Sequence, residues 1–263
     1  MNQLKQPDFQ RQTLAQHARL LVIGGCGGIG FGVVEQAVAA GASVVVMDLP
    51  VTQQQRDLSK TRGFIGIDLR DEQSIADAFS ALAETGLTFD AVVVSSGYTL
   101  GSDPISALDI GKFDDVLSGN LRGPVIALKY ATRYLAAHAS IVLLSTAIGQ
   151  IGSTGYAAYG AAKCGVNAIT RILAAELAPT HRVNAVAPGA VDTAFIRGGF
   201  ASGAKESGEA LRFNVEEYNK KIPLRRMAVI DDITGPILFL LSDSARYITG
   251  QVIHVNGGGL MRD

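Results

Sequence analysis

Charge is scarce along this chain. Only 18% of its 263 residues are Asp, Glu, Lys or Arg, and the formal net charge is -1. Lys and Arg form no rich run of the kind that marks proteins binding nucleic acids or anionic membranes. No apolar run reaches about 18 residues, the length that a membrane-spanning helix needs. We therefore expect neither a nucleic-acid partner nor a membrane partner.

Cysteine is scarce as well. The two cysteines, Cys26 and Cys164, lie far apart and the four histidines are scattered. No metal-ligand spacing results, so no metal site is predicted. Two isolated cysteines indicate reduced thiols in a reducing compartment. Because residues 1–16 are polar and lack the apolar core of a signal peptide, we expect a cytoplasmic protein.

Apolar residues, in contrast, make up 48% of the chain. From residue 19 onward, short β-rich apolar runs alternate with longer amphipathic stretches. Strands are predicted at Leu20–Ile23, Ser43–Met47, Gly63–Ile67, Ala91–Val94, Ile141–Leu144, Arg182–Ala187 and Val252–Val255, and helices near 29–40, 71–84, 113–137, 157–178 and 231–241. Several strands are apolar at consecutive positions, as is typical of strands covered on both faces. The pattern predicts a single-domain α/β fold, a doubly wound Rossmann-type parallel sheet of about seven strands with helices on both faces.

Two segments do not fit this alternation. Residues 1–18 are predicted to form a flexible polar arm ahead of the domain at 19–263. Residues 194–224 form a long insertion that contains several glycines and then charged, helix-forming sequence. Because loops of this length usually act as lids or binding loops, we expect 194–224 to bind substrate. The alternative is a surface excursion without a role.

A glycine-rich turn follows the first predicted strand. Gly24, Gly28 and Gly30 lie within LVIGGCGGIG, between that strand and the first helix. Glycine there lets the chain turn tightly and approach a pyrophosphate, which the amides at the start of the helix can bind. Glycine also marks ordinary turns. The position between strand and helix favours a dinucleotide site.

Asp48 ends the second predicted strand, eighteen positions after Gly30. A carboxylate there can accept hydrogen bonds from an adenosine ribose and would repel a 2′-phosphate. No Arg or Lys directly follows Asp48 or lies within 24–30, so NAD(H) is favoured over NADP(H). The alternative is a solvated turn aspartate. Asp68, which ends the third strand, is predicted either to contact the adenine or to cap the next helix.

Tyr159 and Lys163 lie four residues apart on a predicted helix and so share a face. The ordinary pKa of tyrosine, about 10, is too high for a good base near neutral pH. A neighbouring ammonium and the positive ring of an oxidised nicotinamide would lower that pKa. Such a tyrosine can take a proton from an alcohol, or give one to a carbonyl in reverse. The spacing alone is common by chance.

Taken in order, these motifs and several others identify a family. They are GGCGGIG at 24–30, Asp48, Asn120 in NLRGP, YGAAK at 159–163, NAVAPGAVDT at 184–193 and ITGQVIHVNGG at 248–258. From about residue 19 to its end the chain resembles the short-chain dehydrogenase/reductase family, which implies a dinucleotide-binding oxidoreductase domain at 19–263. The resemblance implies a nicotinamide cofactor, which Asp48 predicts to be NAD, and a homotetramer that pairs through the long helices and the last strand.

The resemblance also implies roles for residues. Tyr159 would be the acid/base, Lys163 would bind the nicotinamide ribose and lower the tyrosine pKa, Asn120 would hold a water in a proton relay, and the Thr146 hydroxyl would orient the substrate oxygen. The implied cofactor-binding residues are Gly24, Gly28, Ile29, Gly30, Asp48, Asp68, Leu69, Ser96, Gly97, Tyr159, Lys163, Pro188, Gly189, Val191 and Thr193. The substrate-binding candidates are Thr146, Gln150, Tyr156 and Tyr159, together with Tyr98 and the 194–224 segment.

The chain departs from the family pattern at three places. Thr146 stands where the family has serine, with Ser145 next to it as the alternative hydroxyl. Val94-Ser95-Ser96-Gly97 replaces Asn-Asn-Ala-Gly, so the contact that the first Asn makes between central strands is expected to be lost at Val94. Ile23 replaces the threonine that often precedes the first glycine.

The leading hypothesis is an NAD-dependent oxidoreductase acting on a small-molecule secondary alcohol or the matching ketone. A cofactor-binding regulatory or scaffold protein without turnover is one alternative, motivated by the departures at 94, 95 and 146. An NADPH-dependent ketoacyl-type reductase is another, disfavoured by Asp48. The identity of the alcohol or ketone stays open.

Overall fold

The computed structural model describes residues 14–197 and 214–261. Its strands are β1 (Arg19–Ile23), β2 (Ser43–Asp48), β3 (Gly63–Gly66), β4 (Phe89–Val94), β5 (Leu135–Leu144), β6 (Arg182–Pro188) and β7 (Val252–Val255). They form one seven-stranded sheet in the order β3-β2-β1-β4-β5-β6-β7, and every pairing is parallel. The strand order reverses between β1 and β4. In open α/β sheets, ligands bind outside the carboxyl ends of the strands at such a reversal.

Helices cover both faces of the sheet, as predicted. They are α1 (Gly28–Ala39), α2 (Glu72–Glu84), α3 (Ile110–Leu117), α4 (Gly123–Ala131), α5 (Ile148–Ile151), α6 (Ala157–Leu177), α7 (Val215–Lys221) and α8 (Ile230–Leu241). Leu20 and Val22 of β1 pack in a core cluster with α1 and α8, whereas Leu21 and Ile23 pack in a second cluster with α2, α4 and α6. Alternate side chains of a strand point to opposite faces, so a strand covered on both sides is apolar at every position.

The predicted helix at 113–137 is wrong in its extent. The helical run begins at Ile110, contains a π-helical turn at Ser118–Arg122, and gives way to β5 at Leu135. The alanine-rich sequence that follows Leu135 has high helix propensity. It is extended nonetheless, because Leu135 pairs with Phe89 of β4 and the two strands run on together with a register shift. Tertiary pairing outweighs local propensity here.

The predicted arm and the predicted insertion lie partly outside the described residues, at 1–13 and 198–213. At the end of the arm, Leu14 and Ala18 are buried in the core, and the His17 amide donates to the Gly41 carbonyl oxygen at 2.9 Å. Of the insertion, residues 194–197 form a 3-10 turn and the later part contains α7.

Within residues 14–197 and 214–261, no helix is both long enough and apolar enough to cross a membrane. That part of the chain also holds no cluster of three or more His, Cys, Asp or Glu side chains placed to bind a metal ion.

Candidate active site

A cleft of about 660 Å³ opens at the carboxyl ends of the strands, where β1 and β4 diverge. The cofactor-binding residues predicted from the sequence all line it. Thr146, Tyr156 and Tyr159 line it as well, whereas Asn120 and Gln150 do not. The fold therefore brings residues from both halves of the sheet to one crevice.

The glycine-rich turn packs closely on itself and against the end of β4. Gly24 has a φ of +83°, and a methyl group on it would lie 2.5 Å from the Ser96 amide nitrogen. A methyl group on Gly30 would lie 2.1 Å from the Gly24 carbonyl oxygen. Helix α1 begins after Gly27 with no side-chain cap. Its first amides thus have no side-chain acceptor, and such an N-terminus suits a phosphate.

Asp48 lies at the end of β2 beside this turn. Its Oδ2 accepts the Cys26 amide at 2.8 Å and its Oδ1 accepts the Leu49 amide at 2.7 Å. Burial raises the pKa of the Asp48 carboxyl, and these hydrogen bonds oppose the rise. The carboxylate thus stabilises the glycine-rich turn while it lines the cleft.

Arg56 places a cation near the same turn that no sequence motif indicated. Arg56 Nε donates to the Cys26 carbonyl oxygen at 2.9 Å, and its guanidinium lies 5.0 Å from the centre of the Phe31 ring. Arg56 lies neither directly after Asp48 nor within 24–30, the positions where a cation would disfavour NAD(H). Arg56 reaches the turn from beyond a 3-10 turn at Pro50–Gln55.

Asp68 lines the cleft and does not cap α2. The cap is Asp71, whose side chain accepts from the Gln73 amide. Arg70 holds both oxygens of Asp68, with Nε 3.0 Å from Oδ1 and Nη2 2.6 Å from Oδ2, and this contact lowers the pKa of the Asp68 carboxyl. Arg70 also lines the cleft, beside the expected adenine position.

Lys163 is buried one helical turn after Tyr159 on α6. Its Nζ donates to the Ser96 and Leu144 carbonyl oxygens, each at 2.9 Å. The same nitrogen lies 5.8 Å from the centre of the Tyr159 ring. Burial lowers the pKa of Lys163 to about 7. Two backbone carbonyls therefore fix the Lys163 side chain close to the Tyr159 ring.

Thr146, not Ser145, is the hydroxyl at Tyr159. Burial raises the pKa of Tyr159, while the Thr146 hydroxyl beside it lowers this pKa. Thr146 Oγ1 accepts the Ile148 amide at 3.3 Å, which leaves its proton for Tyr159 or a ligand. Ser145 instead donates to the Lys163 carbonyl oxygen at 3.2 Å. The choice between the two hydroxyls, open in the sequence, follows from these contacts.

Asn120 does not line the cleft. It lies in the π-helical turn, fully buried, with its Oδ1 accepting the Tyr98 amide at 3.0 Å. Its Nδ2 donates to the carbonyl oxygens of Tyr98 and Val116, at 3.1 and 2.8 Å. Both amide protons are thus used. The side chain holds the backbone at Tyr98 against the helix, and the role of Asn120 in a proton relay stays a prediction.

Comparison with known proteins places this geometry in a family. A family model described as enoyl-(acyl carrier protein) reductase matches residues 24–259. The chain belongs to the short-chain dehydrogenase/reductase family. By family it is an oxidoreductase, and the Gly-rich turn, Asp48, Tyr159 and Lys163 all lie within the matched range.

This short-chain dehydrogenase/reductase has characterised relatives of about its own length. It is 31% identical over 254 residues to L-2,3-butanediol dehydrogenase of Corynebacterium glutamicum, covering 91% of this chain and 97% of that one. It is 30% identical over 250 residues to a 3-oxoacyl-(acyl carrier protein) reductase of Aquifex aeolicus, covering 90% and 95%. A crystal structure described as a glucose/ribitol dehydrogenase of the family, from Brucella melitensis, superimposes with a TM-score of 0.85 at 29% identity, covering 96% and 100%.

At Val94 this short-chain dehydrogenase/reductase departs from the family pattern, and the neighbouring Ser95 supplies a contact between the central strands. Val94 is buried in the core. The Ser95 amide donates to the Ile23 carbonyl oxygen at 2.8 Å, and Ser95 Oγ lies 2.9 Å from the Gly24 carbonyl oxygen. Val94 cannot make the polar side-chain contact of the family's asparagine, but Ser95 ties the ends of β1 and β4 together from the next position.

The substrate side of the cleft is walled mainly by apolar groups. Ile148 and Ile151 of α5 lie one turn apart and line it, so they share a face from which Gln150 is rotated away. Substrate binding by Gln150 therefore stays a prediction without support from the cleft lining. Phe195 also lines the cleft, and its ring packs 5.4 Å from that of Tyr159. No sequence motif marked Phe195, which lies in the predicted insertion.

Proposed function

We propose that this protein is an NAD-dependent oxidoreductase that transfers a hydride between NAD(H) and a secondary alcohol or ketone. The proximity of the Thr146 hydroxyl to Tyr159, in a cleft that the glycine-rich turn also lines, supports this proposal most directly. Two hydroxyls that meet beside a dinucleotide cradle suit one substrate oxygen and one proton transfer.

The residues present fit a nicotinamide dinucleotide. The uncapped start of α1 would hold the pyrophosphate, Asp48 the adenosine ribose and Lys163 the nicotinamide ribose. Pro188, Gly189, Val191 and Thr193 would line the nicotinamide. When bound, the nicotinamide accepts the hydride in oxidation and donates it in reduction.

The proton is handled by Tyr159. In oxidation its phenolate takes the proton of the alcohol, while the Thr146 hydroxyl donates to the substrate oxygen and holds it in place. Burial opposes phenolate formation, since it raises the pKa of Tyr159. The Lys163 ammonium, held by two carbonyl oxygens, favours the phenolate.

A second candidate is an NADPH-dependent ketoacyl-type reductase. Arg56 lies against the glycine-rich turn and could meet a 2′-phosphate, and a 3-oxoacyl-(acyl carrier protein) reductase is among the relatives. The Asp48 carboxylate, which lines the cleft itself, favours NAD(H) instead. The ratio of kcat/KM for the two cofactors decides between them.

The decisive experiment pairs a cofactor-coupled screen of secondary alcohols with Tyr159→Phe. We expect turnover in the wild type and a loss of about 100-fold or more in the variant, with dinucleotide binding retained. Tyr247→Phe, which alters a fully exposed tyrosine, is the matched control. Binding without turnover in the wild type would favour the regulatory or scaffold alternative.

We further propose a cytoplasmic homotetramer. Both cysteines are free thiols, which suits a reducing compartment. The edge strand β7 exposes 37% of Ile253, and a second copy of the chain would cover such an edge. Light scattering coupled to size-exclusion chromatography measures the assembly, and a stable monomer would contradict it.

A further inference from the structure

Two adjacent serines at the end of β4 have opposite bonding states. Ser95 Oγ lies 2.9 Å from the Gly24 carbonyl oxygen. Ser96 Oγ is shielded from solvent, and within residues 14–197 and 214–261 it has no hydrogen-bond partner. Buried hydroxyls without a partner are rare in native proteins because they lose their bonds to water without replacement. The Ser96 hydroxyl therefore calls for a partner from outside this described part of the chain.

The backbone of Ser96 is held from two sides. Its carbonyl oxygen accepts Lys163 Nζ at 2.9 Å. Its amide nitrogen lies so close to Gly24 that a methyl group there would approach it to 2.5 Å. Because Ser96 is fixed between the glycine-rich turn and the lysine, its hydroxyl has little freedom to reach another acceptor in the protein.

Ser96 also lines the cleft, on the side of the proposed dinucleotide. Both of its close neighbours, Gly24 and Lys163, belong to the proposed cofactor site, whereas the substrate wall is formed by α5 and Phe195. The family pattern has alanine at this position, so the fold itself does not require a hydroxyl there. An extra donor in the cofactor wall suits an oxygen acceptor on the ligand.

We propose that the Ser96 hydroxyl is a binding group that donates a hydrogen bond to a ribose or phosphate oxygen of the bound dinucleotide. This assignment rests on the proposed function. It makes Ser96 a contributor to cofactor affinity that is peculiar to this chain, in addition to the backbone contacts of the glycine-rich turn.

The test compares Ser96→Ala with Ser95→Ala in the full-length protein. Thermal unfolding of each ligand-free protein and calorimetric titration with NAD+ and NADH are measured. For Ser96→Ala we expect an unchanged or raised Tm without ligand and a Kd for the dinucleotides about three- to tenfold higher, the loss of one hydrogen bond. For Ser95→Ala we expect a lowered Tm without ligand, because its bond to the Gly24 carbonyl oxygen is lost.

The outcomes separate the two proposals. If the wild type and Ser96→Ala bind NAD+ with equal affinity, the Ser96 assignment alone is overturned. That result is expected if a bound water is the partner of the hydroxyl. A lowered ligand-free Tm with unchanged affinity overturns it too, in favour of a structural role. A wild type that binds neither NAD(H) nor NADP(H) overturns the proposed function, and the Ser96 assignment with it.

Discussion

Thr146, thirteen positions before Tyr159, lies beside it in the cleft, and its hydroxyl lowers the pKa of a phenol that burial otherwise raises. One hydroxyl thus has two consequences, since it would orient the substrate oxygen and adjust the acid/base. Threonine in place of the family's serine keeps both, because the hydroxyl is common to the two residues.

Thr146→Val should reduce kcat/KM for alcohol oxidation by about ten- to 1000-fold, since a methyl group replaces the donor at nearly constant volume. Thr146→Ser should stay within a few fold of the wild type. Ser145→Ala, which removes only the bond to the Lys163 carbonyl oxygen, is the neighbouring control. If Thr146→Val is as active as the wild type, a group other than Thr146 must orient the substrate oxygen.

The rate of oxidation should rise with pH and that of reduction should fall, because Tyr159 must be deprotonated for the first and protonated for the second. The pKa that marks this change should move only slightly in Thr146→Ser. It should move clearly upward in any weakly active Thr146→Val enzyme, because the hydroxyl that lowers the Tyr159 pKa is gone. Steady-state pH profiles in both directions measure it. If the wild type, Thr146→Ser and Thr146→Val have the same pH profile, Thr146 does not influence the pKa of the titrating group.

Lys163 should make stability depend on pH. Its pKa is about 7 in the fold and about 10.4 in the unfolded chain. Between these values the unfolded chain binds a proton that the folded protein has released, so stability rises with pH across that window. Relative to Lys163→Met, the ligand-free wild type should therefore gain Tm from about pH 6 to about pH 10. Lys129→Met, at an exposed position, should show no such trend.

Asp48→Asn should weaken the preference for NAD over NADP by at least about tenfold, or 1.4 kcal/mol, because the repulsion of a 2′-phosphate is removed while an oxygen acceptor stays. Adding Arg56→Ala to Asp48→Asn should restore part of the preference for NAD over NADP, since the cation beside the Cys26 carbonyl oxygen is lost. Kinetics with both cofactors give the ratios. If the wild type already prefers NADP(H), Arg56 rather than Asp48 governs the choice.

Local chemistry explains what the sequence predicted well. A buried parallel strand is a continuous apolar run, so β1 was predicted within one residue of its start. Glycines 24, 28 and 30 are demanded by the tight packing of the turn, and helical spacing alone places Tyr159 and Lys163 on one face. These features depend on neighbours in sequence, which makes them predictable.

Contacts between distant residues explain the rest. Arg56 reaches a carbonyl thirty positions earlier, and Ser95 replaces a family contact from the adjacent position. Leu135 is extended because Phe89 lies beside it. Phe195 meets Tyr159 only after the sheet has brought their segments together. None of these relationships leaves a periodic or spaced pattern in the sequence.

The π-helical turn at Ser118–Arg122 acts as a one-residue insertion in a continuous helical run. One added residue turns everything beyond it by about 100°. The half before the turn, α3, can therefore face α6, while the half after it, α4, faces α2. Removing a single residue here would realign the two halves and force one of them off its partner. The wide turn thus changes the rotational phase of the helical run, so that α3 packs against α6 and α4 packs against α2.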